Sequence, residues 1–173
     1  MFFSKSILFL LPFFFLISCS STPKPIDGSD EKFAKEAIFI KYTSSDALNV
    51  YDNQPHVIPL VVYQLNNINS FESLDKSKEG VIKLLEAKKF DSSVMSVTKY
   101  YVSPNETQEL FLNRATKTVW VAMVVGYYDM QPLQSTLKYK IPPYNNLKFW
   151  KSEAKQKFLP INVYFDKSSI QQR

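Results

Sequence analysis

Cysteine occurs once in this chain, at Cys19, histidine once, at His56, and glycine only at Gly28, Gly80 and Gly126. A single cysteine excludes an intrachain disulfide, so a folded domain must draw its stability from packing. Three scattered glycines exclude a P-loop and a dinucleotide fingerprint, both of which need glycines clustered to cradle phosphate. His56 stands beside Pro55 with no second histidine or cysteine to complete a ligand set. It reads as a surface histidine, and no metal site is predicted. Ser44 and Ser45, next to Asp46, lack the Gly-x-Ser-x-Gly elbow that exposes a nucleophile and read as turn residues. This inventory argues against an enzyme, and no cofactor is expected.

Long apolar runs are missing too. A membrane-spanning helix needs about 20 apolar residues, and the run from Ile7 to Ile17 is close to half that, with Pro12 inside it. Lys5 precedes the run and small Ser18 follows it, which is the layout of an export signal. Residues 1–18 are therefore assigned to a signal peptide and excluded from the fold. Leu16-Ile17-Ser18-Cys19 resembles the lipobox of bacterial lipoproteins. That resemblance implies acylation of Cys19, which would become the mature N-terminus and tether an exported domain to a membrane, facing the periplasm. Ser20, in place of an aspartate, resembles the sorting rule for delivery to the outer membrane.

Neither charge sign dominates. The formal charge is +5. Lys148, Lys151, Lys155, Lys157 and Lys167 crowd the C-terminal part, but Glu153 and Asp166 interrupt them and no arginine-aromatic pattern suggests base stacking. A solvated face is the expectation, and no nucleic-acid partner.

Residues 19–35 read as the lipidated N-terminus and a tether, because Ser20 to Lys32 is polar and carries Pro23, Pro25 and Gly28. Fully extended, that stretch reaches at most about 45 Å. Residues 36–173 form one expected domain, a length able to bury most of the surface its unfolded chain exposes. Its apolar residues alternate with the period of two that marks half-buried strands. Ile38, Ile40 and Tyr42 share one face of a first strand (Ala37 to Thr43), and Val61, Tyr63 and Leu65 one face of a second (Leu60 to Leu65). Leu137, Tyr139 and Ile141 oppose Thr136, Lys138 and Lys140 on another strand. Val119 to Tyr128 is apolar on both faces, as in a central strand covered on each side, with Trp120 in the core and Gly126 marking a bulge or a close backbone approach. Ile161 to Phe165, after Pro160, is expected to be the last strand. From Ser70 to Lys88 the spacing turns helical, with Ser70 as N-cap and Gly80 splitting the segment in two. Seven or eight short strands with one helical insertion predict an all-β fold, a two-sheet antiparallel β-sandwich.

Asn105-Glu106-Thr107 matches a glycosylation sequon, but Ser103 and Pro104 beside it make a hairpin turn the better explanation. Leu147, Phe149 and Trp150 read equally as a strand or as an exposed aromatic cluster. The most informative stretch is Thr43 to Pro59, between the first two strands. Hairpin loops usually run to about 2–5 residues, and a longer connection is more often functional. Leu48, Asn49, Val50, Tyr51, Asp52, Asn53, Gln54 and Pro55 mix apolar groups with amides, as contact surfaces do, and are the candidate partner-binding residues. A second reading stays open for Leu48 and Val50, namely that they pack beneath the loop or belong to an edge strand.

The order of these features resembles a known family. The lipobox, the strand Ala37 to Thr43, Leu48-Asn49 through Asp52-Asn53-Gln54-Pro55, the strand Leu60-Val61-Val62-Tyr63-Gln64-Leu65 and Phe71 opening the helical insert are similar to the outer-membrane lipoprotein of the type VI secretion system, the TssJ family. Val102-Ser103-Pro104-Asn105-Glu106 resembles its Pro-Gly-Glu-type turn, and Val119 to Asp129 its apolar strand ending in an aromatic-Asp pair. Two departures stand out, where Asn105 replaces a turn glycine and Asn53-Gln54 replaces a Gly-Arg-like pair. The resemblance implies a transthyretin-like sandwich with a prominent loop between its first two strands. It also implies a structural role, with the lipoprotein held in the outer membrane and binding the periplasmic C-terminal region of the inner-membrane protein TssM. A generic ligand-binding lipoprotein, which would need a concave apolar pocket, and a periplasmic hydrolase are the rival readings.

Overall fold

A computed structural model of the chain describes residues 32–141 and 159–173. The expectations for the signal peptide, Cys19, most of the tether and the Leu147/Phe149/Trp150 cluster lie outside those residues, as do Lys148, Lys151, Lys155 and Lys157.

Among the described residues, eight strands and two short helices follow in the order β1 (Ala34–Ser44), β2 (Ile58–Leu65), α1 (Asn69–Leu74), α2 (Lys78–Leu85), β3 (Val94–Val102), β4 (Thr107–Arg114), β5 (Trp120–Val125), β6 (Thr136–Lys140), β7 (Leu159–Phe165) and β8 (Ile170–Gln172). A short 3-10 turn, Pro132–Gln134, precedes β6. The strands form two four-stranded sheets, β4-β1-β7-β8 and β3-β2-β5-β6. The two-sheet sandwich is as expected, with one difference: β1 runs parallel to β7, while every other pairing is antiparallel. β1 begins at Ala34, two residues before the expected domain boundary. Ile161 to Phe165 is not the last strand either, since β8 follows it. Pro160 is tolerated in β7 because β8 pairs only with Val163 to Phe165, leaving the outer edge at Pro160 without a ladder bond to lose.

The sequence alternation sorts into two cores. Ile38, Ile40 and Tyr42 of β1, Leu60 and Val62 of β2, Val121 and Met123 of β5, and Ile161, Val163 and Phe165 of β7 fill the space between the sheets. The opposite face of β2 and β5, with Val61, Tyr63, Leu65, Ala122 and Val124, is closed by Phe71, Val81 and Leu84 of the helices. β5 is therefore apolar on both faces because it is covered on both, as predicted, although it ends at Val125 and Tyr128 lies beyond it. Trp120, at its start, is half-buried against the helix-side core. Tyr63 spans its layer and donates from its hydroxyl to the Leu84 carbonyl at 2.6 Å. Burial pushes that phenol up to about 12, with Glu86 adding to the shift.

Two local expectations need correction. Ser70 lies inside α1, whose N-cap is Ile68. Gly80 does not separate the helices, because the break falls at Asp75 to Ser77, and Ser77 caps α2 by accepting the Gly80 N–H at 3.1 Å. Glycine is needed there for space, since a Cβ would stand 2.0 Å from the Leu74 carbonyl oxygen. Gly126 marks a close approach rather than a bulge. Its N–H donates to the Pro59 carbonyl at 3.1 Å, and a Cβ would meet the Pro59 ring at 2.8 Å.

Buried polar groups tie the ends of the sandwich together. Gln64 lies on the inter-sheet face of β2, where its amide donates to the Asn113 carbonyl at 2.8 Å and accepts the Ala115 N–H at 2.7 Å. Outside the second sheet, the buried carboxylate of Asp75 accepts from Lys138 of β6 at 2.9 Å, and Glu72 stands 3.3 Å from the same ammonium. Paired in this way, a buried carboxylate does not face the cost of isolation.

Candidate partner-binding site

The segment 45–57 joins β1 to β2 across the two sheets. It is built as a small folded unit, each step of which is fixed by backbone bonds. Ser45 N–H donates to the Phe165 carbonyl at 2.8 Å, and the Ser45 hydroxyl accepts the Ala47 N–H at 3.1 Å. Leu48 then enters the inter-sheet core and is fully buried. It anchors the loop from beneath and is no part of the surface, which decides between its two readings. Asn49 has φ 50°, the left-handed region that asparagine tolerates better than most residues. That turn aims its N–H at the Lys167 carbonyl (2.9 Å), and its side-chain oxygen accepts the Tyr128 N–H (2.7 Å). Asn49 therefore holds three connections together: β1–β2, β5–β6 and β7–β8.

The tip is a two-residue turn. Tyr51 and Gln54 exchange N–H to carbonyl bonds at 2.9 and 3.0 Å, and Asp52 and Asn53 between them have φ 51° and 58°. Two successive left-handed residues make a type I′ hairpin, for which Asp and Asn are among the preferred residues. His56 N–H returns to the Leu48 carbonyl at 3.0 Å and closes the unit.

The residues this unit presents differ from the sequence expectation in detail. Val50 and Asn49 are half-buried, while Tyr51, Asp52, Asn53, Gln54 and Pro55 are exposed. Tyr51 lies against Tyr128 with ring centroids 4.1 Å apart and planes inclined by 35°, and the His56 ring is 6.1 Å away. Tyr51 is 49% exposed and Tyr128 66%, so together they form an aromatic platform facing solvent. Sequence reasoning placed Tyr128 at the end of the central strand and missed its part in the site. The signal available was the change from unbroken apolar residues to Gly126-Tyr127-Tyr128-Asp129. Tyr127 points the other way, buried, with its hydroxyl donating to the Ser169 carbonyl at 2.7 Å. Around the platform Asp46, Asp52 and Asp129 are exposed, and Asp166 is half-buried at the β7–β8 turn beside Lys167.

The turn 103–106 meets the same end. It is not a hairpin, because β3 and β4 belong to different sheets. Ser44 stitches it to β1: its hydroxyl donates to the Ser103 carbonyl at 2.6 Å and accepts the Glu106 N–H at 2.8 Å. Asn105 has φ 53° and donates its N–H to the Ser45 carbonyl at 3.1 Å. Asn53 and Asn105, the two asparagines that stand where the resembled family has glycine, thus both adopt the backbone glycine would supply. Burial pushes the Tyr42 phenol up to about 12, and the nearby Glu106 carboxylate adds to the shift. Among the described residues no group of three or more His, Cys, Asp or Glu side chains could hold a metal ion.

The family model for type VI secretion lipoproteins (VasD, EvfM, TssJ) matches residues 36–159. This chain belongs to the TssJ family of type VI secretion lipoproteins. It is a component of the type VI secretion membrane complex and not an enzyme. Solved structures share its fold at low sequence identity. The T6SS lipoprotein TssJ1 from Pseudomonas aeruginosa is 12% identical with a TM-score of 0.60, over 82% of this chain and 95% of that one. Serratia marcescens Lip, a membrane-bound component of the type VI secretion system, is 14% identical with a TM-score of 0.66, over 83% and 98%. A chain in a structure described as the TssM C-terminal domain from EAEC is 9% identical with a TM-score of 0.59, over 83% and 98%. No curated protein sequence matches this TssJ-family chain.

Proposed function

We propose that this lipoprotein is acylated at Cys19, held in the outer membrane, and binds the periplasmic C-terminal region of a TssM-type inner-membrane protein through the Tyr51–Tyr128 platform. The observation that carries the reading is the platform itself, two large exposed aromatic rings, Tyr51 on the 45–57 loop fixed by backbone bonds and Tyr128 on the β5–β6 connection held beside it by Asn49. A tyrosine offers wide apolar area and a hydroxyl that stays hydrogen-bonded, at low entropic cost, and such residues dominate contact energetics. The family and the TssM-associated structure of the same fold support the choice of partner. The mechanism is mechanical: acyl chains hold one end of the domain, the loop end holds the partner, and the pair bridges the periplasm. Several acyl chains suit a steady load, because each buried methylene adds about 0.8 kcal/mol of membrane affinity.

The test is calorimetric titration of the chain lacking residues 1–18, with Cys19→Ala, against the periplasmic C-terminal fragment of the TssM encoded in the same organism. Both cores lie within residues 37–170, so this truncation keeps everything that packs. Tyr51→Ala and Tyr128→Ala should each weaken binding by at least ~10-fold, a step of about 1.4 kcal/mol. Full affinity in both variants would move the partner surface elsewhere.

A further inference from the structure

The two ends of the sandwich carry opposite charge, and the tether leaves from the basic end. There β1 begins beside the end of β4, with Ala34 opposite Arg114, and β5 begins beside the end of β6, with Trp120 opposite Lys140. Val119 N–H donates to the Leu65 carbonyl at 2.8 Å, and Gln64 bonds the β4–β5 turn across the gap between the sheets. These contacts bring Lys32, Lys35, Lys117 and Lys140 to one end, all exposed, together with Phe33, whose ring is 60% exposed. Acids near this end are engaged: Glu36 is 3.9 Å from Lys35, the Asp91 carboxylate accepts from the Ser93 N–H and hydroxyl, and Glu72, in the first turn of α1, is 3.3 Å from Lys138. The far end is the acidic one, with Asp46, Asp52 and Asp129 exposed around the tyrosine platform and Asp166 half-buried, against the one exposed lysine of the β7–β8 turn, Lys167.

We infer that the tether end of this domain lies directly on an anionic phospholipid surface, with Phe33 at the headgroup level and the lysines facing the phosphates. Only a short stretch separates Cys19 from Lys32, so an anchor at Cys19 draws this end to the bilayer first. A basic patch beside an acyl anchor acts as a second, electrostatic attachment. Repulsion of the acidic end from the same surface turns the domain so that the Tyr51–Tyr128 platform points away from the membrane, toward a partner arriving from the other side. The inference rests on the lipid-anchor reading for its geometry, but the patch must bind lipid without the acyl chains.

The unlipidated chain, lacking residues 1–18 and carrying Cys19→Ala, should cosediment at low salt with vesicles of equimolar phosphatidylglycerol and phosphatidylethanolamine and not with phosphatidylcholine vesicles. Each basic residue near such a surface contributes about fivefold, so Lys32→Glu/Lys35→Glu/Lys117→Glu should bind on the order of 100-fold more weakly. Tyr51→Ala should bind vesicles as the parent does, which separates a failure of this inference from a failure of partner binding. Because the Cys19→Ala chain has no other thiol, a polarity-sensitive dye can be placed on Thr116→Cys at the tether end or on Asp52→Cys at the loop end. Only the first should respond to lipid. No binding to anionic vesicles, parent-like binding by the triple variant, or an equal response from the two dyes would overturn the inference.

Discussion

Replacing Gly80 by alanine tests the helical layer, because two effects of opposite sign meet at one residue. In an exposed helix interior the substitution stabilises by about 1 kcal/mol, through the backbone freedom that alanine does not have to lose. Gly80 lies inside α2, yet the new Cβ would stand 2.0 Å from the Leu74 carbonyl oxygen and 2.7 Å from its carbon. Both are backbone atoms at the end of α1, so no side-chain rotation relieves the overlap. The helices would have to part by more than about 1 Å to reach ordinary carbon contact distance. That movement would disturb the layer formed by Phe71, Val81 and Leu84 and the Tyr63 bond to Leu84. Overpacking costs about 1–3 kcal/mol, and a clash with backbone belongs at the upper end. Less the helix gain, the net loss is about 2 kcal/mol. For a chain of this length that lowers Tm by roughly 4–8 °C. Circular dichroism melts and urea titrations read the change directly. A Tm unchanged or raised in Gly80→Ala would mean that α1 and α2 do not touch as described, and would refute the reasoning.

Val124→Asp should unfold the domain, since an unpaired carboxylate under the helices costs several kcal/mol against a total stability of about 5–15; a cooperative melt near the parent's Tm would remove β5 from the centre of its sheet. Alkali should destabilise the protein: the Tyr42 and Tyr63 phenols are pushed up to about 12 in the fold, so their contribution is complete below the unfolded value near 10 and is lost as pH rises toward 12. Lys138 adds in the same direction: burial acts to lower its pKa, but its bonds to Asp75 and Glu72 prevail and raise it, so the pair's stabilisation also fades at high pH. Urea titrations from pH 8 to 12 check the slope, and Tyr42→Phe should flatten it; a pH-independent midpoint across that range would contradict the assigned burial.

The sandwich was legible wherever one residue pattern had one physical cause. Period-two alternation in Ile38, Ile40 and Tyr42, and unbroken apolarity from Val119 to Val125, each follow from which faces are covered, and the covering elements leave no other arrangement. What escaped were features decided by tertiary contact. The break between the helices fell at Asp75 to Ser77 because Ser77 caps α2 and Asp75 is held by Lys138. Gly80 then served close packing, a role that local propensity cannot reveal. The turn at Asn105 has the same backbone signal whether it joins neighbours in one sheet or crosses between two. Only the Ser44 bonds, which reach from β1 to Ser103 and Glu106, show that it crosses. The parallel pairing of β1 with β7 joins segments far apart in the chain, where no local pattern speaks to partner choice.

Loop length pointed to the segment 45–57 but said nothing of how it is ordered. A long flexible loop is a poor binding surface, since fixing each backbone residue on association costs about 1–2 kcal/mol. The segment 45–57 escapes that cost because Asn49, Asp52 and Asn53 hold positive φ in the free protein, and each such turn is closed by a backbone bond. Leu48 anchors the unit in the core, and the Asn49 side chain fixes Tyr128 beside Tyr51. The polar residues that read from sequence as contacts are thus divided in their work: Asn49 and the Asp52-Asn53 pair shape the loop, and the rings do the presenting. A surface ordered before its partner arrives keeps most of its contact energy as affinity. Such a surface, set at the end of the domain opposite the tether, also fits the proposed role between two attachments, because in that role any slack in the loop would be taken up before a load reached the partner.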